Sequence, residues 1–318
     1  MFVHELYDSN KISDSSIITI GNYDGFHNGH KYILSKMKKL AKCDNLKTVL
    51  LTFNPHTKTV INNKNFKVLT TFNMKKKLAN ESSVDYLCEV KFNKIMKNLN
   101  FKDFINIVIE KYNPSIILFG YDNKIGRDKE GNFNILKKYL KKTNIEVLMC
   151  DPFYDKDNNK VTTTSIKSNI MDYKIKSANK LLGREFSLGG EVIRGLSKGK
   201  SIGFPTANVK INSFEQLIPP NGVYSVTLEV EDSTYKAVCN IGFCPTVKKN
   251  SQLSIEVHII NEDINLYGKN VVLKFKDFLR LESKFKSEDD LDAGEEYTGA
   301  GAEVQYNIAS GLKATITV

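Results

Sequence analysis

The rhythm of the chain changes near residue 180, and that change limits the possible folds more than any other feature. In the first half, short runs rich in Ile, Leu and Val stand at Ser16–Ile20, Lys47–Phe53, Ser115–Gly120 and Ile145–Cys150. Lysine-rich amphipathic stretches separate them, at Lys31–Lys42, Asn73–Asn80 and Asn134–Lys142. Uninterrupted apolar runs fit strands buried on both faces of a parallel sheet. Their alternation with helices predicts a doubly wound parallel-sheet domain. Beyond the change, Glu191–Gly195, Ala207–Ile211, Gly222–Val230, Tyr235–Ile241, Ile255–Ile260 and Asn270–Phe278 mostly alternate apolar and polar residues. Turns carrying Gly, Pro or Asn lie between them. Six short strands without helices predict a small antiparallel barrel or sandwich. The seam is expected at Lys174–Leu182, a short helical stretch.

Composition narrows the setting. The chain has 318 residues, 41% of them hydrophobic, which suits two globular domains and excludes a disordered chain. No run reaches the roughly 18 apolar residues of a membrane span. The start, MFVHELYDSN, lacks a secretory pattern. The five cysteines, Cys43, Cys88, Cys150, Cys239 and Cys244, form no CxxC pair, which points to a reducing, cytoplasmic setting. The net charge of +10 invites a nucleic-acid reading. Only four residues are arginine, however, and the lysines are spread along the chain among many asparagines. A solvated lysine surface is therefore expected, with no nucleic-acid partner and no membrane. Residues 292–318 stand apart, with five alanines against five in all that precedes, and are read as an atypical tail, either a segment of foreign or frameshifted origin or a natural divergent C-terminus.

The strongest motif is Gly21-Asn22-Tyr23-Asp24-Gly25-Phe26-His27-Asn28-Gly29-His30, directly after the first of those strands. A glycine-rich strand-to-helix turn lets backbone N–H groups approach a phosphate, and the helix start favours its charge. His27 and His30 are spaced to share one face of the first helical turn. Two such donors suit the charge that develops on a phosphate under attack. Gly29 is expected to leave room for a nucleotide between them. His56, in Thr52-Phe53-Asn54-Pro55-His56, lies at a strand's C-terminal edge, where open α/β sheets bind ligands, or else it is a loop histidine. Gly120-Tyr121-Asp122-Asn123-Lys124-Ile125-Gly126-Arg127 follows another strand. Thr162-Thr163-Thr164-Ser165-Ile166-Lys167 reads equally as a triphosphate cradle or a helix N-cap.

In the second half, a small, basic, glycine-punctuated stretch carrying Lys200 runs into Gly203-Phe204-Pro205-Thr206-Ala207-Asn208, fit to fold over phosphates. Thr206 and Asn208 fall on one side of a strand, so their oxygens can share a magnesium ion. Glu256, in Ile255-Glu256-Val257-His258, is either a general base or a solvent-facing acid on an edge strand. Gly195-x-x-x-Gly199-Lys200-Ser201 is one residue short of a P-loop, and Asp155-x-Asp157-x-Asn159 lacks the glycine and glutamate of a calcium loop.

These strings, with LLGREFSLGG, PPNGVYSV, CNIGFCPTV and LYGK, resemble in order the prokaryotic bifunctional riboflavin kinase/FMN adenylyltransferase family over roughly residues 1–290. The resemblance implies a Rossmann-like HxGH nucleotidylyltransferase domain, expected at 1–178, and a six-stranded riboflavin kinase barrel, expected at 179–291. It implies that riboflavin is phosphorylated by ATP to FMN, and that FMN is adenylylated by ATP to FAD and pyrophosphate, with Mg2+ as cofactor. By match, His27 and His30 would stabilise the adenylyl-transfer transition state. Gly21, Asn22, Asp24 and Gly25 would form the nucleotide loop. Thr164, Ser165 and Lys167 would contact ATP phosphates, as would Lys200 and Gly203 in the kinase. His56, Asp122 and Arg280 would lie at the flavin sites. Thr206 and Asn208 would hold the metal, and Glu256 would take the hydroxyl proton. A monomer or weak homo-oligomer is expected.

Three departures from the family pattern stand out. Lys167 occupies a usual arginine position, which removes a bidentate phosphate contact and predicts slower adenylyl transfer. Asn123-Lys124-Ile125 replaces an aromatic-basic-aromatic run. The tail after residue 291 replaces an amphipathic helix. Retention of one activity alone, and an HxGH transferase for another substrate, are the alternative readings. A flavin- or RNA-binding regulator is disfavoured by the survival of His27, His30, Thr206, Asn208 and Glu256.

Overall fold

The computed structural model describes residues 1–62, 66–194, 207–244, 252–260, 262, 264–281, 303–308 and 312–317. The chain divides into two compact units, Met1–Thr164 and Ser165–Val318.

In the first unit, successive residues of the central strands face opposite ways into two apolar cores. Its strands are β1 (Phe2–Glu5), β2 (Ser16–Gly21), β3 (Lys47–Asn54), β4 (Tyr86–Lys91), β5 (Pro114–Gly120) and β6 (Glu146–Cys150). Ile17 and Leu50 join one core, whereas Ile18, Ile20, Val49 and Leu51 join the other. Helices cover both faces: α1 (Asn28–Asp44), α2 (Thr57–Asn62), α3 (Phe72–Glu81), α4 (Lys94–Asn98), α5 (Phe101–Tyr112) and α6 (Phe133–Tyr139). Helix α1 buries Leu34, Met37 and Ala41 along one stripe and stops where Asn45 turns left-handed at φ 52°. Helix α5 begins at Asn100, whose side chain accepts from the Asp103 N–H. The sheet is parallel in the order β1-β4-β3-β2-β5-β6. The order reverses between β2 and β5, the place where such sheets hold ligands. Strands β1 and β4 go beyond the four expected. In β4 the charged Glu89 and Lys91 interrupt the apolar run, and β1 lies exposed at the sheet edge. Helix α5 was also unmarked.

Two helices, α7 (Thr163–Met171) and α8 (Ile175–Leu182), fall at the seam. Helix α8 ends at left-handed Gly183 and belongs with the barrel, since Asn179 donates to the Phe275 carbonyl and accepts from the Phe186 N–H.

The second unit is a closed six-stranded antiparallel barrel. Its strands are β7 (Phe186–Ile193), β8 (Ala207–Ile211), β9 (Gly222–Val230), β10 (Ser233–Cys244), β11 (Gln252–Ile259) and β12 (Asn270–Arg280), in the closed order β10-β11-β8-β7-β12-β9. Phe186, Tyr224 and Phe275 meet ring to ring inside it. Cys239 pairs with Tyr224 and so faces inward, which turns Asn240 outward. Strand β7 starts earlier than Glu191 because Gly189 and Gly190 belong to it. A Cβ on Gly190 would stand 2.5 Å from Val209 Cγ1 and 2.8 Å from the Lys210 carbonyl oxygen. The tail forms an antiparallel pair, β13 (Glu303–Ile308) and β14 (Leu312–Thr317).

This contact generates a prediction. Gly190→Ala pushes β7 off β8 and lowers barrel stability by about 1–3 kcal/mol. Denaturant unfolding followed by the intrinsic fluorescence of the barrel tyrosines should show an earlier transition. An unchanged midpoint would mean that the strands separate without cost.

Candidate active sites

The turn after β2 is unusual for its backbone. Tyr23, Gly25 and Phe26 all have left-handed φ values of 47°, 88° and 46°. A non-glycine residue holds such a conformation only where its surroundings over-determine it. Tyr23 is buried, and its hydroxyl lies 2.7 Å from Thr19 Oγ1. Phe26 is 1% exposed. Asp24, 2% exposed, accepts from the backbone N–H groups of Leu69 at 2.6 Å and Thr70 at 3.1 Å. Thr70 also donates the hydroxyl contact at 3.5 Å to Asp24, while its Oγ1 accepts from the Gly25 N–H at 2.9 Å. Asn22 bonds through both ends of its amide to Thr57, at 3.1 and 3.2 Å, and its carbonyl accepts from Thr52 Oγ1. Thr163, at the start of α7, donates its hydroxyl to the Asp24 carbonyl at 2.9 Å.

This frame sets the two histidines. His27 is the N-cap residue of α1, and His30 lies in its first turn. Their rings stack with centroids 3.7 Å apart and planes 19° apart. Tyr23 packs on His30 at 4.8 Å. The imidazoles thus come together as their spacing implies, but the room expected between them does not exist. Rings in van der Waals contact leave no gap for a nucleotide. The space over Gly29 is filled as well, since a Cβ there would lie 3.1 Å from His27 Cε1 and Nδ1.

Three further expected residues, Gly21, His56 and Asp122, fall at the C-terminal ends of β2, β3 and β5. Gly21 closes β2, and Asp122 is exposed just beyond β5. Asn123 donates to the Ile20 carbonyl at 2.5 Å, and Ile125 is buried in the core. Those two positions therefore anchor the loop and leave Lys124 exposed. His56 immediately precedes α2, accepts from the Lys58 N–H through Nδ1 at 3.1 Å and stacks on Phe66 at 4.5 Å. Thr164 is exposed on α7; Ser165 and Lys167, on the same helix, are half-buried. Sequence reasoning did not single out Thr57, Thr70 or Lys75, because single threonines and lysines carry no signal until the fold brings them to a partner; Thr163 it named only within the hydroxyl string at 162–167, with no role toward Asp24. Lys75, on α3 and 3% exposed, donates to Thr52 Oγ1 at 3.3 Å and the Phe53 carbonyl at 3.2 Å. Burial pushes its pKa down to about 8, against the pull of Asp24 and Glu89.

On the barrel, the ladder aligns the second group. Asn208 on β8 stands directly opposite Glu256 on β11, and Glu256 directly opposite Asn240 on β10. Directly opposite residues share one face. Ser254 joins them, its hydroxyl 3.4 Å from Asn208 Oδ1 and 3.2 Å from Glu256 Oε1. Arg280 closes β12 opposite Val223, which itself is opposite Asn240. Burial works against the Arg280 charge and lowers its pKa. Lys200, Gly203 and Thr206 lie outside the described residues. Among the described residues no group of three His, Cys, Asp or Glu side chains is arranged for a metal ion.

A family profile described as FAD synthetase matches residues 9–165, and one described as riboflavin kinase matches residues 182–295. The bifunctional riboflavin kinase/FMN adenylyltransferase of Buchnera aphidicola subsp. Schizaphis graminum is 35% identical over 295 residues, covering 91% of this chain and 93% of that protein. The protein of that name from Escherichia coli K12 is 30% identical over 294 residues, covering 92% of each. A crystal structure named as a macrolide-efflux protein from Streptococcus pneumoniae matches with a TM-score of 0.83 at 28% identity, covering 92% of this chain and 96% of that one. Among the described residues no helix is long and apolar enough to cross a membrane.

The buried lysine gives a pH prediction. Below its folded pKa of about 8, Lys75 is protonated folded and unfolded, and the cost of its burial is present in full. Between there and the unfolded value of about 10.4, the unfolded chain holds more protons, so this group's contribution to stability rises with pH. Lys75→Met removes that dependence. The unfolding free energy of the wild type relative to the variant should grow by up to about 1.4 kcal/mol per pH unit across this window. A pH-independent difference in urea titrations would show that the amine does not titrate there.

Proposed function

We propose, from the premise that this chain belongs to the bifunctional riboflavin kinase/FMN adenylyltransferase family, that its two halves run their reactions at the two residue groups described above. The chain phosphorylates riboflavin to FMN and adenylylates FMN to FAD with release of pyrophosphate. The observation that carries the assignment of sites is the pairing of stacked His27 and His30 at the sheet's switch point with an in-register Asn208–Glu256 pair on the barrel.

In the kinase half, Glu256 accepts the proton of the riboflavin 5′-hydroxyl as its oxygen attacks the γ-phosphorus of ATP and ADP departs. The donor chemistry fits a hard divalent cation, since Asn208 Oδ1, Ser254 Oγ and Glu256 Oε1 form a cluster of oxygens. Asn208, with Thr206, would hold Mg2+, which when bound offsets the negative charge on the transferring phosphoryl group. Lys200 and Gly203 cover the phosphates, and Arg280 meets the flavin. Burial raises the pKa of the inward-facing Cys239 strongly, with Glu256 adding to the shift, so this thiol stays protonated and inert.

In the adenylyltransferase half, a phosphate oxygen of FMN attacks the ATP α-phosphorus and pyrophosphate leaves. His27 and His30 donate N–H groups to the oxygens on which charge develops, presenting the edge of their stack. Gly21, Asn22, Asp24 and Gly25 act as the frame of that loop, a role their internal hydrogen bonds support. Thr164, Ser165 and Lys167 approach the triphosphate from the first turns of α7. His56 and Asp122 border the flavin. The halves are put at 1–178 and 179–291, in keeping with the spans of the two family profiles, and α8, which packs on the barrel, runs across that boundary. Unpaired Cys43, Cys88, Cys150 and Cys239 support a cytoplasmic setting, where the protein acts on small molecules as a monomer or weak homo-oligomer.

The decisive experiment is a chromatographic time course with riboflavin, ATP and Mg2+. FMN followed by FAD is expected. Glu256→Ala should abolish FMN formation and keep FMN-to-FAD conversion, and His30→Ala should do the reverse. Loss of both activities in either variant overturns the separate-site reading. Lys167→Arg restores a forked phosphate donor and should speed FAD formation by about tenfold, with FMN formation unchanged. Equal rates would show that position 167 does not touch the phosphates.

A further inference from the structure

We infer that Asn240 is a further substrate-contacting residue of the kinase half: its side-chain carbonyl accepts a hydrogen bond from a hydroxyl of the substrate's polyol chain and holds that chain against Glu256. The inference rests on the reading of the barrel face given above.

Asn240 lies in the string Cys239-Asn240-Ile241-Gly242, to which the sequence motifs gave no task. The ladder puts it directly opposite Glu256, on the same outer face and one strand away. It is 4% exposed, and its Oδ1 is buried with no hydrogen-bond partner. Buried polar atoms are nearly always satisfied, so a bare one signals a missing donor. Its surroundings do not call for an amide. Val223, opposite it on β9, and Val238, two residues back on its own face, are both fully buried and pack together. A branched apolar side chain would suit that patch better.

The kind of donor follows from the neighbours. Glu256, as the base, takes up a proton and offers none, and the Ser254 hydroxyl is engaged with Asn208 and Glu256. A lone acceptor beside a carboxylate base is matched by an alcohol. The substrate of this half is an alcohol carrying further hydroxyls on the same carbon chain. Neighbouring strands lie about 4.8 Å apart, a distance that a short stretch of polyol spans. With its terminal hydroxyl at Glu256, the chain can place an inner hydroxyl at Asn240 Oδ1. The contact then fixes the angle of attack and selects polyols over simple alcohols.

The test uses the full-length protein, riboflavin, and riboflavin analogues that each lack one inner side-chain hydroxyl. The wild type should lose about tenfold or more in kcat/KM with one particular analogue. Asn240→Leu, which keeps the volume, should lose a similar factor with riboflavin itself and no longer distinguish that analogue. Asn240→Asp keeps an acceptor and should retain the discrimination. The KM for ATP, the Mg2+ activation curve and FMN-to-FAD conversion should not move in Asn240→Leu. Unchanged riboflavin kinetics in Asn240→Leu overturn the inference, as does a loss shared equally by riboflavin and every analogue. A shift confined to the ATP or Mg2+ dependence overturns it too, by assigning Asn240 to the other substrate. Should Asn240→Leu not fold, the Asn240→Asp profile across the analogues decides alone. A wild type that forms no FMN overturns the reading of the barrel face itself.

Discussion

The Asp24 carboxylate, buried and bonded to the backbone N–H groups of Leu69 and Thr70, is the interaction on which the first site depends. It closes a turn in which three residues take left-handed backbone conformations. Such a turn holds only because each of its groups has a fixed partner: Tyr23 on Thr19, Gly25 on Thr70, Asn22 on Thr57 and the Asp24 carbonyl on Thr163. The charge of buried Lys75 is opposite in sign to that of Asp24 and favours it electrostatically. The stacked histidines inherit their position from that frame, because the helix that carries them begins where the turn ends. Catalytic donors gain from such rigidity, since a preorganised group needs no rearrangement as charge develops.

The barrel solves the same problem differently. Among the described residues of the barrel no buried carboxylate holds the reactive row; the ladder does. A closed barrel fixes every register around the ring, so Asn208, Glu256 and Asn240 come into line on one face. The interior stays apolar around Tyr224, Phe186 and Phe275 and keeps the shape. Chemistry is carried on the outside, on alternate residues of the strands that build the core. Gly190 belongs to this economy of space, because β7 and β8 approach too closely there for any side chain.

Much of this was legible from residue order. Runs such as Ser16–Ile20 and Lys47–Phe53 announced parallel strands because both their faces are covered. Strands β8 and β9 match the expected limits, since period-two alternation and turn residues bracket them cleanly. Strand β4 escaped because Glu89 and Lys91 break its pattern, and β1 because an edge strand is short of apolar residues. The extension of β7 over Gly189 and Gly190 escaped because glycine has little strand propensity. Among the site residues, the motif around His27 and His30 and the Asn208–Glu256 pair could be read, since their chemistry is written into local spacing.

Sequence alone determined the two-part architecture, the membership of the reactive residues and their local spacing, all properties of neighbours along the chain. Tertiary structure decided what those residues meet. It filled the gap expected between His27 and His30, whose rings stack with centroids 3.7 Å apart. It committed the Asp24 carboxylate to the amides of a segment some 45 residues away. It placed Asn240 beside Glu256, since register between strands is set by barrel closure and by neither strand alone. Spacing along a chain fixes which side a residue faces; only packing fixes what it faces.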